Sequence, residues 1–227
     1  MTTPLKTRPA HPGPPLAAPA IAFVVLFIAP GFFGGAGGIP SPFGPTATVH
    51  AHFAANLMSS QLNGFMMFLS AVFLVLFSAL ALSRLTYLAP NAPGPTIAGV
   101  GGVVAGVLLA VSALVGWVLG QPVAVEQPGL THVLHFLSFV LGGPGHVAAL
   151  GLLVFGLAIT SWFLRRAPRW LCVVGFVIAA VSVLSSVSLV VTPAAPLIPL
   201  GRFTGMAWLV AISFLIPRER AARREGN

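Results

Sequence analysis

Long apolar runs, separated only by short turns, constrain this chain more than any other feature. The clearest is LNGFMMFLSAVFLVLFSALALS at 62–83, which contains no charged residue. Runs of this length match a hydrocarbon core of about 30 Å at a helical rise of about 1.5 Å per residue. Charged residues make up 6% of the chain and hydrophobic residues 57%, whereas a soluble domain carries about a quarter charged residues. So few charges cannot cover a water-facing surface, so the solvent for most of this chain is lipid.

Six spans follow from the breaks between the runs. They are 20–38, 62–83, 96–119, 144–164, 170–191 and 197–216. The stretch 130–164 is too long for one straight helix. The Gly-Gly-Pro-Gly at 142–145 supplies both helix breakers, so the reading divides it there. Residues 130–141 become an outer interfacial or re-entrant piece, and a short interfacial helix is expected over VHAHFAANLMSS in the loop 39–61. The fold class is therefore all-α, a polytopic membrane bundle of about six helices over 20–216. A proline-rich, disordered cytoplasmic tail (1–19) precedes it and a basic cytoplasmic tail (217–227) follows.

The basic residues orient the bundle. Of the 11 lysines and arginines, Lys6, Arg8, Arg84, Arg165, Arg166, Arg169, Arg218, Arg220, Arg223 and Arg224 fall on one side, and Arg202 alone on the other. This asymmetry places both termini in the cytoplasm and the protein in the cytoplasmic membrane. A cleaved signal peptide in place of the first span would leave the later topology unchanged. Because the charges mark loop positions and no aromatic-interleaved basic face accompanies them, the excess positive charge does not indicate nucleic acid. The expected partners are the lipid bilayer and, for an accessory subunit, another membrane protein.

Several chemistries are excluded by residue type. The carboxylates are Glu126, Glu219 and Glu225, and none lies in a span, so no acid stands at the midplane where proton-coupled transport places one. The lone lysine, Lys6, lies in the tail and cannot carry a retinal Schiff base. No phosphate loop, serine triad or carboxylate pair is present. Cys172, the single cysteine, reads as a buried hydrophobe.

Three constellations remain. Ala98, Gly102, Gly106 and Ala110 recur every fourth residue, which puts small side chains on one helix face and lets a neighbouring backbone approach. Arg202 lies about five residues into the last span. It either snorkels to the outer headgroups, pairs with Glu126 or holds a lipid phosphate. His50, His52, His132, His135 and His146 all map to the outer side. Neutral imidazoles there could ligate zinc, copper or haem iron if loop 39–61 packs against 130–141. In this reading His50 and His52 share an extended or irregular stretch, while His132 and His135 share a helical face.

The segment GLLVFGLAITSWFLRRAPRWLCVVGFVIAAVSVLSSVSLVV, followed by PLGRFTGMAWLVAISFLIPRER, resembles an uncharacterised bacterial family of small multi-span membrane proteins, classed as a domain of unknown function. The PRW turn and the arginine-ended last helix carry the likeness over the last third of the chain. The resemblance implies the multi-span architecture and brings no activity with it.

Three functions fit these residues. The preferred one is a non-catalytic lipid-binding or accessory membrane protein with no cofactor assigned. The alternatives are a small permease for a neutral or apolar solute and a metal- or haem-dependent oxidoreductase built on the outer histidines.

Overall fold

A computed structural model describes residues 15–33 and 38–216. The expected tail at 217–227, residues 1–14 of the N-terminal tail, and the glycines of 34–37 lie outside the described residues. Within the described residues the fold is all-α, without strands. The helices are α1 (Ala17–Ile28), α2 (Pro30–Phe33), α3 (Thr46–Ala55), α4 (Leu57–Leu88), α5 (Pro93–Val118), α6 (Pro128–Val140), α7 (His146–Leu164), α8 (Arg169–Leu184) and α9 (Leu197–Leu215). Five helical units are long and apolar enough to cross a membrane, and the shorter apolar stretch Ala17–Phe32 makes a sixth candidate.

Helix starts follow proline chemistry. Pro93, Pro128 and Pro168 open or immediately precede α5, α6 and α8, where a missing N–H costs nothing and a fixed φ favours the first turn. The first helix begins at Ala17 rather than residue 20. The second span extends at both ends to Leu57–Leu88, and the interfacial helix expected over 49–60 forms instead at Thr46–Ala55.

The break expected at Gly142–Gly145 is present, and the backbone leaves helical geometry there. A π-turn at Leu141–Gly145 joins α6 to α7, with Gly143 at φ −86° and ψ −106°. The two pieces, α6 and α7, lie on either side of this kink within the apolar stretch Pro128–Leu164. Glycine and proline are tolerated at membrane depth when neighbours satisfy the freed backbone groups. Here Arg202 of α9 donates to the Gly142 carbonyl, and Ser112 of α5 packs against the same glycine.

The small residues act within the monomer. The α4–α5 interface is the most extensive in the bundle, followed by α5–α7. Gly102 lies against Ser78 and Gly106 against Val75, both on α4. Ala98 faces α7 instead, where it abuts Gly156. Ala98, Gly102 and Gly106 are buried, and Ala110 is half-buried. One continuous core runs through α1, α4, α5, α7, α8 and α9, centred on Leu74, Phe77, Leu150, Leu153 and Leu157.

Polar ties between helices are few and well placed. Ser70 of α4 donates to the Phe23 carbonyl of α1 at 2.8 Å. Trp208 Nε1 of α9 donates to the Leu171 carbonyl of α8 at 2.8 Å. Each satisfies a group that lipid could not.

Candidate functional site

At the end of the bundle that carries residues 38–56, the helices diverge around a cleft of about 630 Å³. Its apolar wall includes Phe27, Met67, Leu109, Leu119, Phe139 and Ile198. Its polar lining is mainly uncharged, with Asn56, Ser60, Asn63, Ser112, His135 and Ser138 among the contributors. Arg202 is the single lysine, arginine, aspartate or glutamate in the lining.

The wall is built by reciprocal bonding. Ser112 of α5 donates to the Ser138 carbonyl of α6 at 2.7 Å, and Ser138 donates back to the Ser112 carbonyl at 3.1 Å. In apolar surroundings such exchanges hold two helices at a fixed separation. Below the cleft, Leu74, Phe77, Leu150 and Leu153 are 0–1% exposed and close the bundle. None of these four residues lines the cleft.

Arg202 does not occupy the position read from the sequence. Its guanidinium turns inward, donates to the Gly142 carbonyl and stands 5.2 Å from the Phe27 ring centroid. Its Nε is enclosed and has no hydrogen-bond partner. Glu126 is exposed at the end of a 3₁₀ turn, Pro122–Val125, and no ion pair joins it to Arg202. Snorkelling and pairing with Glu126 are both corrected. The freed carbonyl of the π-turn and the Phe27 face offer the guanidinium a partner within the bundle, so it has no need to reach the surface.

The loop over 39–61 does pack against α6, and the histidines hold it there. His132 Nε2 donates to the Pro42 carbonyl at 2.7 Å, while its Nδ1 accepts from the Thr46 hydroxyl at 2.8 Å. His135 Nε2 donates to the Pro40 carbonyl at 3.0 Å. His50 Nε2 donates to the Val125 carbonyl at 2.9 Å. A carbonyl can only accept, so each of these bonds fixes the tautomer of its ring. Phe43 adds edge-to-face contacts with Phe136 and Phe139.

This arrangement does not gather metal ligands. His50 and His52 lie on the helix α3, not on an irregular stretch, so their spacing of two residues directs them to different faces. His132 has both ring nitrogens committed. His146 is fully buried within the bundle, where its Nδ1 donates to the Ala105 carbonyl at 2.9 Å. Among the described residues no three His, Cys, Asp or Glu side chains are grouped to hold a metal ion. His52 lines the cleft, and burial holds its pKa below the ordinary histidine range, which favours the neutral ring.

Asn56, Asn63, Ser112, Ser138 and Phe27 were not singled out by sequence reasoning. Small polar residues inside apolar runs were the available signal, but they occur on nearly every span. Only the fold shows which of them share a cavity. Comparisons with protein-family models, curated proteins and solved structures found no match to this chain.

Proposed function

We propose that this chain is a non-catalytic, lipid-binding protein of the cytoplasmic membrane that holds one amphipathic molecule in the cleft between α1, α4, α5, α6 and α9. The observation that carries this reading is the cleft itself. Its volume, about 630 Å³, falls within the range of about 300–1,000 Å³ typical of small-molecule sites. A largely apolar wall with a few fixed polar groups is the usual composition of such sites. The closed core beneath it supports retention of a ligand over passage across the bilayer.

The test is native mass spectrometry of the full chain purified in a mild neutral detergent. A stoichiometric adduct of lipid mass should survive purification. Asn63→Trp, which fills the cleft from its rim, should remove the adduct while the protein stays monodisperse. An adduct unaffected by filling the cleft would place the lipid on the outer surface of the bundle instead. The permease alternative requires the Leu74–Leu153 core to open, and solute flux into proteoliposomes would support it.

In the proposed orientation the cleft faces away from the cytoplasm and both termini lie inside. Reporter fusions at residues 90 and 167 should read cytoplasmic, and fusions at 45, 125 and 195 external. A cytoplasmic reading at 125 would remove the six-span topology.

A further inference from the structure

Among the described residues Arg202 has no counter-charge. It has one hydrogen-bonded protein partner, the Gly142 carbonyl, and its enclosed Nε has none. A guanidinium offers five N–H donors in a rigid fork, so most of its donor capacity is unused. The one carboxylate among the described residues, Glu126, is exposed and does not reach it. No other residue lining the cleft carries a fixed charge. Charges taken from water are ordinarily paired, and this one lies at the wall of a cavity large enough for a ligand.

We infer that the ligand of the cleft carries an anionic head, a carboxylate or a phosphate, which pairs with Arg202 while its apolar body lies along Met67, Leu109 and Ile198. The inference rests on the reading of the cleft as an amphiphile site and adds the chemistry of the head. The Phe27 ring, 5.2 Å from the guanidinium carbon, restricts the plane of the fork. Its contact with Gly142 restrains it from the other side. A planar, preorganised guanidinium matches the two-oxygen geometry of either anion. The walls explain why a free inorganic anion does not suffice, since it would leave the apolar part of the cavity unfilled. The neutral lining groups Asn56, Ser60 and Asn63 can hydrogen-bond ester or hydroxyl oxygens of such a head without competing for its charge.

The experiment measures binding of three single-chain probes to the full-length protein in neutral detergent: oleate, oleoyl-lysophosphatidic acid and oleyl alcohol. Charge-assisted hydrogen bonds predict that the anionic probes bind on the order of ten- to a hundredfold more tightly than the alcohol. Arg202→Met should erase that preference, bringing the anionic probes to the affinity of the alcohol in the same variant. Arg202→Gln, which keeps a polar amide without the charge, should do the same and serves if the methionine variant fails to fold. Tighter binding of the phosphate probe points to a bilayer lipid as the source, and tighter binding of oleate to a free fatty acid. Equal binding of all three probes to the unsubstituted protein would overturn the anionic head but leave the amphiphile site intact. A preference that persists in both variants would do the same. Binding of none of the three would remove the amphiphile site itself.

Discussion

Gly156→Leu is expected to abolish recovery of folded protein, whereas Val103→Ile should be tolerated. The expectation rests on which atoms the new side chain would meet. A Cβ on Gly156 would collide with backbone atoms of Gly94 and Ala98 on α5, and backbone cannot rotate away as a side chain can. Inserting bulk into a packed core ordinarily costs about 1–3 kcal/mol. With four heavy atoms driven between two helix backbones, the cost lies at the upper end or above, comparable to much of a domain's total stability of about 5–15 kcal/mol. Gly102→Ile and Gly106→Ile should be milder, since each meets mainly a side chain, Ser78 or Val75. Val103 is 40% exposed on the face of α5 away from these contacts. Yield of monodisperse protein and thermal unfolding in detergent rank the four variants. Equal recovery of all four would mean that α5 and α7 do not approach as closely as described.

Arg202→Met should raise the unfolding temperature of the ligand-free protein, against the usual direction of point substitutions. Two terms oppose each other. Arg202 is half-buried, with an enclosed Nε that has no partner, so removing it relieves part of the desolvation cost of a cation. Apolar replacement of buried ions is often neutral or stabilising by about 1–4 kcal/mol. Against that, the Gly142 carbonyl loses its donor, at about 1–3 kcal/mol if it stays dry. Gly142 lines the open cleft, so water can replace the lost donor, whereas the enclosed Nε of Arg202 has no partner and its removal relieves the remaining cost. The methionine sulfur also keeps a favourable contact with Phe27. For a chain of this size each kcal/mol corresponds to about 2–4 °C, which calorimetry or a dye-free fluorescence melt resolves. A fall of several degrees would show that the guanidinium's present contacts already offset its burial.

The spans were legible because hydropathy acts over twenty residues at a time and needs no knowledge of neighbours. The same holds for the small-residue face of α5, whose period of four is set by helix geometry. Legibility stopped where a residue's role depends on a distant partner. The spacing of Ala98, Gly102 and Gly106 does not reveal that the first faces α7 and the other two α4. Gly142–Gly145 reads as a terminus because glycine and proline weaken any isolated helix. The break is there, but the donor to its Gly142 carbonyl is Arg202, 60 residues further along. For Arg202 itself, a local reading offered the surface or the single outer acid, and the free carbonyl that receives it is a product of the fold. His132 and His135 were singled out for their spacing, and they do act together. Their partners, however, are the carbonyls of Pro42 and Pro40, which no side-chain motif announces.

The unequal lengths of α1 and α4 bear on the surrounding bilayer. The apolar stretch Ala17–Phe32 covers only about 24 Å at the helical rise, short of a hydrocarbon layer of about 30 Å. Its neighbour α4 has 32 residues, about 48 Å by the same measure. Among the described residues the first span is thus shorter than α4, and in a bilayer such a difference would favour thinner lipid around the first helix. The shorter span lies on the side where Phe27, Pro30 and Gly31 line the cleft. Under the proposed lipid-binding role, thinner lipid in that sector would favour sideways entry of a ligand from the leaflet.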